Sequence, residues 1–442
     1  MKYPVCIAFG LLVLLFPLAA QNAGQPDTQN SADLEASIFA NSSDGSPPSS
    51  SVPSVSGEAP AVTSAQTGGD QNGFPSFTPG ETAKTDYLVG GSVVASGSTT
   101  TQTQSAGYLA LSDLQGKLFA KVTVPDYGSL FVSYAAAQPL FRGASGSGVP
   151  SPVSLGTMGS GYPNAYAVQY NLSEIHYSFD IAKVLFVRVG NQLISWGPSQ
   201  IWTPVDFINL QKSDAFAALD TRIGKPGLRL HMPLSWGNLF AFADFSNLVT
   251  NGQYTYSDPV DKTNLGGRVD FTAGDFEFGL TGYGGAQAQT RGGVDFSGRL
   301  LGTTVYGELA AAPDYSSYTS YVQTALGFSK TLDELKRWTL SAEAFYNSKG
   351  DPQSYLYRGR YYAYLALRAD EFISPYLSST VSALSNLDDQ SYQIKLAESF
   401  SFPRAVPFTA ELSYSGGGTN TELTQYTGAG AIGLRLYTVI SF

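Results

Sequence analysis

Histidine and cysteine, which most often act as acid–base catalysts, nucleophiles or metal ligands near neutral pH, are scarce in this 442-residue chain. The chain has two histidines, His176 and His231, and one cysteine, Cys6, and 14% of its residues are charged. Neither the G-x-S-x-G pattern of a serine nucleophile nor the H-E-x-x-H pattern of a zinc site occurs in it. The sequence therefore predicts a protein that is not an enzyme and holds no metal or cofactor.

The stretch ISWGPSQIWTPVDFINLQKSDAFAALDTR, residues 194–222, instead differs from the rest of the chain, because it has two tryptophans, two prolines and an Ala-rich segment with helical spacing. Charges of both signs around a narrow aqueous passage create a field that selects permeating solutes. The residues predicted to line such a constriction are Arg188, Gln192, Trp196, Trp202, Asp206, Asp214, Asp220, Arg229, Arg268 and Glu277. The alternative is that each charge only stabilises its surroundings through ion pairs.

The elements that would position these residues are β-strands. From about residue 86, apolar and polar residues alternate with period two, as in DFEFGLTGY at 275–283 and AIGLRLYTVISF at 431–442. One face of each strand is apolar, and the other carries the charges. The alternation assigns to that second face Glu174, Arg188, Arg229, Arg268, Asp270, Glu277, Asp295, Arg299, Glu308, Glu343, Arg360, Arg368, Lys395, Glu411 and Arg435.

Connections between the strands alternate between short and long. Short turns on one side and longer loops on the other are typical of an antiparallel transmembrane β-barrel, as are aromatic residues at strand ends. We therefore predict an all-β barrel of about 18 strands, with 16 as the alternative, because the strands near 86–95 and 105–124 are weakly marked. The predicted long loops are 96–104, 139–165, 195–222, 249–262, 287–292, 313–318, 348–357, 385–389 and 417–429.

The first 85 residues have a different composition. MKYPVCIAFGLLVLLFPLAAQ predicts a secretory signal peptide that is cleaved after Ala20, which would leave a mature chain without cysteine. Residues 21–85 are rich in Ser, Pro and Gly and predict a disordered periplasmic linker. The barrel is then expected to span residues 86–442.

These features resemble the β-barrels of Gram-negative outer membranes. RVGNQLISWG at 188–197, PVDFIN at 204–209 and RIGKPGLRL at 222–230 resemble a pattern in porin-like proteins, in which R-x-G-x-Q is followed by W-G and P-x-D. The resemblance implies location in the outer membrane, contact with its lipid, and small-molecule permeants. A homo-oligomer and a monomer both stay open.

The stretch at 195–222 falls in a long-loop position but is too apolar to extend into water. We expect it to fold into the barrel mouth, with a short helix at 215–219 capped by Ser213. The alternative is an outward lid whose aromatic residues pack against the rim.

The preferred function is a porin, which lets small solutes diffuse through the lumen passively or with weak selectivity. The alternatives are a substrate-specific channel for hydrophobic compounds and a non-conducting surface adhesin or receptor. A net charge of −10 without a cluster of Lys and Arg argues against a nucleic-acid partner.

Overall fold

The computed structural model describes most of the chain from residue 85 onward. The signal peptide and the linker predicted for residues 1–85 lie outside the described residues, apart from residue 85 itself, and remain predictions. The described ranges are 85–102, 107–145, 169–208, 222–250, 253–254, 262–285, 288–313, 320–333, 335, 337–348, 359–371, 373–403, 405–419, 421–424 and 429–442.

The described residues form twenty strands and one short 3-10 helix, Ser246–Leu248. The strands are β1 Asp86–Gln102, β2 Gly107–Val124, β3 Gly128–Ser145, β4 Gln169–Ile181, β5 Leu185–Gln192, β6 Lys225–Leu234, β7 Gly237–Asp244, β8 Val249–Thr250, β9 Gln253–Tyr254, β10 Asn264–Ala273, β11 Phe276–Gly285, β12 Ala288–Leu300, β13 Thr303–Ala312, β14 Tyr321–Thr331, β15 Trp338–Asn347, β16 Tyr361–Asp370, β17 Leu377–Asn386, β18 Ser391–Phe400, β19 Phe408–Gly416 and β20 Ala431–Ser441. Among the described residues, no helix is both long enough and apolar enough to cross a membrane.

Eighteen of the strands form one closed antiparallel sheet, which confirms the prediction of an 18-stranded barrel. Each strand pairs with the next along the chain, β7 pairs with β10, and β8 and β9 form a separate small hairpin in the connection between them. The last strand closes the ring by pairing with the first, with Ser98 opposite Arg435. Closure leaves no unpaired sheet edge, which is what a β-structure in lipid requires.

Several predicted loop boundaries are wrong. Strand β1 continues through the predicted loop at 96–104 to Gln102, β3 continues to Ser145, and β12 begins at Ala288 inside the predicted loop at 287–292. Residues 96–102, SGSTTTQ, are polar on both faces and nevertheless pair with β2. The alternation therefore ends where the apolar belt ends, although the hydrogen-bonded ladder continues.

The alternation predicted for the strands is present in the barrel wall. In β20, Leu434 and Leu436 are exposed on the outer surface, whereas Arg435 and Tyr437 are buried on the inner one. Strands β18 and β19 show the same two-residue rhythm of burial. The outer surface is therefore apolar and the inner surface polar.

Arg360 is an exception, because it was predicted to face the interior. It lies in a bend before β16, its side chain is 58% exposed, and it pairs with Asp388 at 3.6 Å. Arg360 precedes the first residue of β16, so the period-two alternation of the strand does not determine the direction of its side chain.

Aromatic residues gather at the strand ends, as predicted. At the short-turn end Phe400 stacks on Phe408, with ring centroids 4.6 Å apart. At the other end the rings of Tyr392 and Tyr414 lie 6.2 Å apart. Such girdles are typical of the two interfaces of a membrane.

We predict that the outer face tolerates no charge near its middle. Replacing Leu436, which is exposed at the centre of β20, by Arg should destabilise the inserted barrel by about 2–4 kcal/mol, because Arg is costly at the bilayer midplane. The measurement is the fraction of folded protein by heat-modifiability on gels.

The matched variant is Gly433→Arg on the inner face of the same strand. The nearest atoms to a side chain at Gly433 are the flexible hydroxyl groups of Ser413 and Thr100. This variant should fold at close to the wild-type level. Equal folding of the two variants would show that the inner and outer faces are wrongly assigned.

Candidate functional site

The connection between β5 and β6 folds into the barrel. Its described part, residues 193–208, contains no helix and has several fully buried side chains, among them Val205, Phe207 and Ile208. The predicted helix at 215–219 and its cap Ser213 lie outside the described residues. We refer to residues 193–208 as the lumen loop.

One part of the lumen loop packs against the wall strands nearest to its base. Ile194, Trp196, Val205, Phe207 and Ile208 form a buried apolar cluster with inward residues of β7, β11, β12 and β13. Those wall residues are Phe242, Tyr283, Ala288 and Ala310. This cluster buries apolar side chains of the loop that would otherwise be exposed to water.

The tip of the lumen loop reaches strands much farther around the ring. Ile201 and Trp202 form a second buried cluster with inward residues of β14, β15, β16 and β17, and Trp202 stacks on Phe345 with ring centroids 5.4 Å apart. The wall residues are Ala325, Phe345, Tyr362 and Leu384. The lumen loop therefore crosses the interior of the barrel, so the inward placement predicted from the sequence is confirmed.

Two wall glutamates accept hydrogen bonds from the main chain of the lumen loop. Glu308 on β13 accepts from the amide of Ser199 at 2.8 Å and from that of Val205 at 3.0 Å. Glu343 on β15 accepts from the amides of Gln200 at 3.0 Å, Ile201 at 3.2 Å and Trp202 at 2.8 Å. These bonds satisfy main-chain donors that have no strand partner, which a buried irregular segment requires.

Gly197 lets the main chain come close to Glu308. Its φ of +97° is disfavoured for other residues, and a Cβ at this position would lie 2.3 Å from a carboxylate oxygen of Glu308. Two features of the structure therefore require glycine at the W-G pair of the sequence pattern: the positive φ and the closeness of the main chain to Glu308.

The base of the lumen loop is held by a second group of polar contacts. Asp206 accepts a hydrogen bond from the Ser195 hydroxyl at 3.0 Å and lies 3.5 Å from Arg222, which follows the loop. Glu174 on β4 accepts from the amide of Leu193 at 3.0 Å. The sequence predicts Asp206 only as a residue of the constriction, and the ion pair with Arg222 adds a role in joining the two ends of the loop.

Arg188 and Arg229 occupy directly opposed positions on β5 and β6, beside the loop base, and both are buried. Arg188 donates to the Ser178 hydroxyl at 3.2 Å, and the guanidinium of Arg229 lies 5.1 Å from the ring centroid of Phe240. Gln192, at the end of β5, donates to the carbonyl oxygen of Gly227 at 3.3 Å. The predicted residues Arg188, Gln192 and Arg229 are therefore together on the inner wall.

Other predicted residues are elsewhere or not described. Arg268 on β10 pairs with Asp295 and Asp270, each at 2.6 Å, and so belongs to an ion-pair network within the wall. Glu277 lies near the short-turn end of β11, opposite Thr272. Asp214 and Asp220 lie outside the described residues.

The sequence did not single out Glu308 and Glu343, although the alternation placed both on the inner face. Their partners in the loop are more than 100 residues away along the chain, and nothing in the local sequence marks them. The alternation also places Tyr306 on the inner face, but it does not predict that the Tyr306 hydroxyl donates to Glu343, at 3.0 Å.

The two histidines are packed against aromatic rings. His176 stacks on Phe131 with centroids 5.1 Å apart, and His231 stacks on Phe240 at 4.4 Å. In the part of the chain that the structure describes, no three His, Cys, Asp or Glu side chains are grouped as metal ligands would be.

No family model and no curated protein matches this chain. Solved structures do match it. Pseudomonas aeruginosa OpdK with vanillate has a TM-score of 0.54 at 10% identity, covering 81% of this chain and 98% of that one. OccK2 (OpdF) of the same organism has a TM-score of 0.52 at 12% identity, covering 80% and 97%. A variant of OccD1 (OprD) has a TM-score of 0.51 at 10% identity, covering 80% and 95%.

These three proteins are outer-membrane channels. At such low identity, the likeness concerns the fold. The chain therefore shares the overall fold of these proteins, a closed antiparallel β-barrel, and its function has to be inferred from its own residues.

We predict that Arg268 stabilises the barrel wall and does not contribute to the electric field of the constriction. Arg268→Gln should lower the free energy of unfolding by about 1–3 kcal/mol, because the carboxylates of Asp270 and Asp295 lose a charged donor. The measurement is the urea midpoint in detergent. Adding Asp295→Asn should restore part of the loss, whereas unchanged stability together with a shifted ion selectivity would assign Arg268 to the constriction.

Proposed function

We propose that this protein is an outer-membrane channel for small hydrophilic solutes, with the lumen loop as its narrowest section. The main support for this proposal is that the lumen loop crosses the interior of the barrel and is hydrogen-bonded to β13 and β15. A barrel of 16–18 strands encloses a water-filled passage unless something occupies it. A segment that occupies part of the bore restricts the size of the solute that can pass.

The inner wall away from the loop supports a hydrophilic solute. Strands β18 and β19 present Gln393, Thr409, Ser413 and Ser415 on their buried inner faces. Hydroxyl and amide groups exchange hydrogen bonds readily with water and with sugars or other polar solutes. This lining favours the hydrophilic channel over a channel for hydrophobic compounds.

We propose a constriction that includes only some of the residues predicted from the sequence. We assign to it Arg188, Gln192 and Arg229 on the wall, together with Trp196, Trp202 and Asp206 in the loop. The two arginines occupy directly opposed positions on β5 and β6, so their charges act on the same part of the passage. We infer that the channel prefers small anions, for which vanillate, the compound present with OpdK, is a suitable probe.

No catalytic role is assigned to the histidines, because each packs as an aromatic wall residue. The adhesin alternative predicts a barrel that does not conduct. The hydrophobic-channel alternative predicts uptake of apolar compounds in preference to sugars in liposome assays.

Replacing residues 199–218 by a short Gly/Ser link should raise single-channel conductance in planar bilayers, because the narrowest section sets the resistance of a pore. The link should also raise the size limit for sugars in liposome swelling. Unchanged conductance in a folded deletion variant would mean that the loop does not form the constriction. Absence of conductance in both proteins would favour the adhesin alternative.

Removing the two adjacent positive charges should shift ion selectivity toward cations. The variant is Arg188→Gln with Arg229→Gln, and the measurement is the reversal potential in a KCl gradient. The control is Arg368→Gln, since Arg368 lies near the short-turn end of β16 and pairs with Asp370 at 2.8 Å. A shift equal to that of the control would contradict the assignment of Arg188 and Arg229 to the constriction.

A further inference from the structure

We propose that Glu308 and Glu343 are positioning residues that fix the lumen loop to the wall at β13 and β15 and so set the width of the bore. The consequence for the bore rests on the proposed channel function, whereas the attachment of the loop does not. Both carboxylates are buried, and each is placed by its own strand, Glu308 on β13 and Glu343 on β15.

The order of the contacts shows how the loop is held. Ser199 and Val205 both donate to Glu308, and the three residues between them that donate, Gln200, Ile201 and Trp202, all contact Glu343. The segment 199–205 therefore leaves Glu308, reaches Glu343 two strands farther around the ring, and returns to Glu308. Its two ends are fixed at one carboxylate and its tip at the other.

The acceptors must be carboxylates for this arrangement to work. Ser199 donates to Oε1 of Glu308 and Val205 donates to Oε2, so both oxygens are used. A glutamine has one oxygen, and its amide nitrogen would face a main-chain N–H with no acceptor between them. Hydrogen bonds to a charged acceptor are also stronger than those to a neutral one.

Neighbouring residues keep the two carboxylates in place. The Tyr306 hydroxyl donates to Glu343 at 3.0 Å and orients it toward the loop. At the other anchor, the main chain of Gly197 lies so close to Glu308 that a Cβ would meet both carboxylate oxygens at less than 3 Å. Adding a methyl group at Gly197 should therefore push the loop away from Glu308 without changing any charge.

The experiment uses three variants of the full-length protein, Glu308→Gln, Glu343→Gln and Gly197→Ala. The first measurement is hydrogen–deuterium exchange at the amides of residues 199–205. We expect slow exchange in the wild type and exchange about 10- to 100-fold faster in each variant, because the bonds lost involve a charged acceptor. The second measurement is single-channel recording, in which the variants should show a larger mean conductance and added open-channel noise.

Two control variants match these changes. Glu411→Gln removes a buried wall carboxylate whose ion pair is with Arg435, at 3.9 Å on the next strand. Gly282→Ala adds a methyl group where no atom lies within 4 Å. Both should leave exchange at residues 199–205 at the wild-type rate.

The outcomes separate the inference from the proposed function. Unchanged exchange in the three variants, with the barrel folded by heat-modifiability, would overturn the role of the two glutamates. A wild type that does not conduct would overturn the channel, while the exchange data would still test the attachment. If the glutamine variants fail to fold, Gly197→Ala still tests the attachment of the loop to Glu308, because the substitution lies in the loop and alters no wall strand. Faster exchange with unchanged conductance would contradict the claim that this attachment sets the bore.

Discussion

Every main-chain N–H and C=O group at membrane depth needs a partner within the protein, because lipid offers none. In this chain the requirement is met by a ring of eighteen strands that closes where β20 pairs with β1. Closure gives each strand one face toward lipid and one toward the lumen. The apolar outer belt, the polar inner wall and the aromatic girdles follow from that division.

The same requirement applies to the one long segment that the structure describes inside the ring. The lumen loop has no strand partner at residues 199–205, and its side chains are largely buried, so its amides depend on the wall. The acceptors are the carboxylates of Glu308 and Glu343, which lie on the inner faces of β13 and β15. The apolar side chains of the loop pack on both sides of this contact, around Phe207 and around Trp202. Hydrogen bonding thus determines where the loop attaches, and apolar burial contributes to holding it there.

Much of the fold could be predicted from the sequence, because a strand that separates lipid from water repeats with period two. The strand count, the inward direction of Arg435 and the inward folding of the loop all follow from that repeat and from apolar content. The strand ends could not be predicted where both faces are polar, as at 96–102. The carboxylate contacts of Glu308 and Glu343 depend on which strands meet across the lumen, and period-two alternation contains no information on such distant pairs. For the same reason, the Arg222 partner of Asp206 and the wall network of Arg268 appear only in three dimensions.

Tryptophan quenching can show whether the lumen loop lies inside the barrel. The chain has four tryptophans, of which Trp196 and Trp202 are buried in the loop and Trp236 is exposed in the turn between β6 and β7. In a variant with Trp236→Phe and Trp338→Phe, emission comes from the two loop residues. If the loop lies in the lumen, this emission is blue-shifted and is quenched weakly both by iodide in water and by brominated lipid. Strong quenching by iodide would show that the loop is an outward lid, and strong quenching by brominated lipid would place it against the membrane.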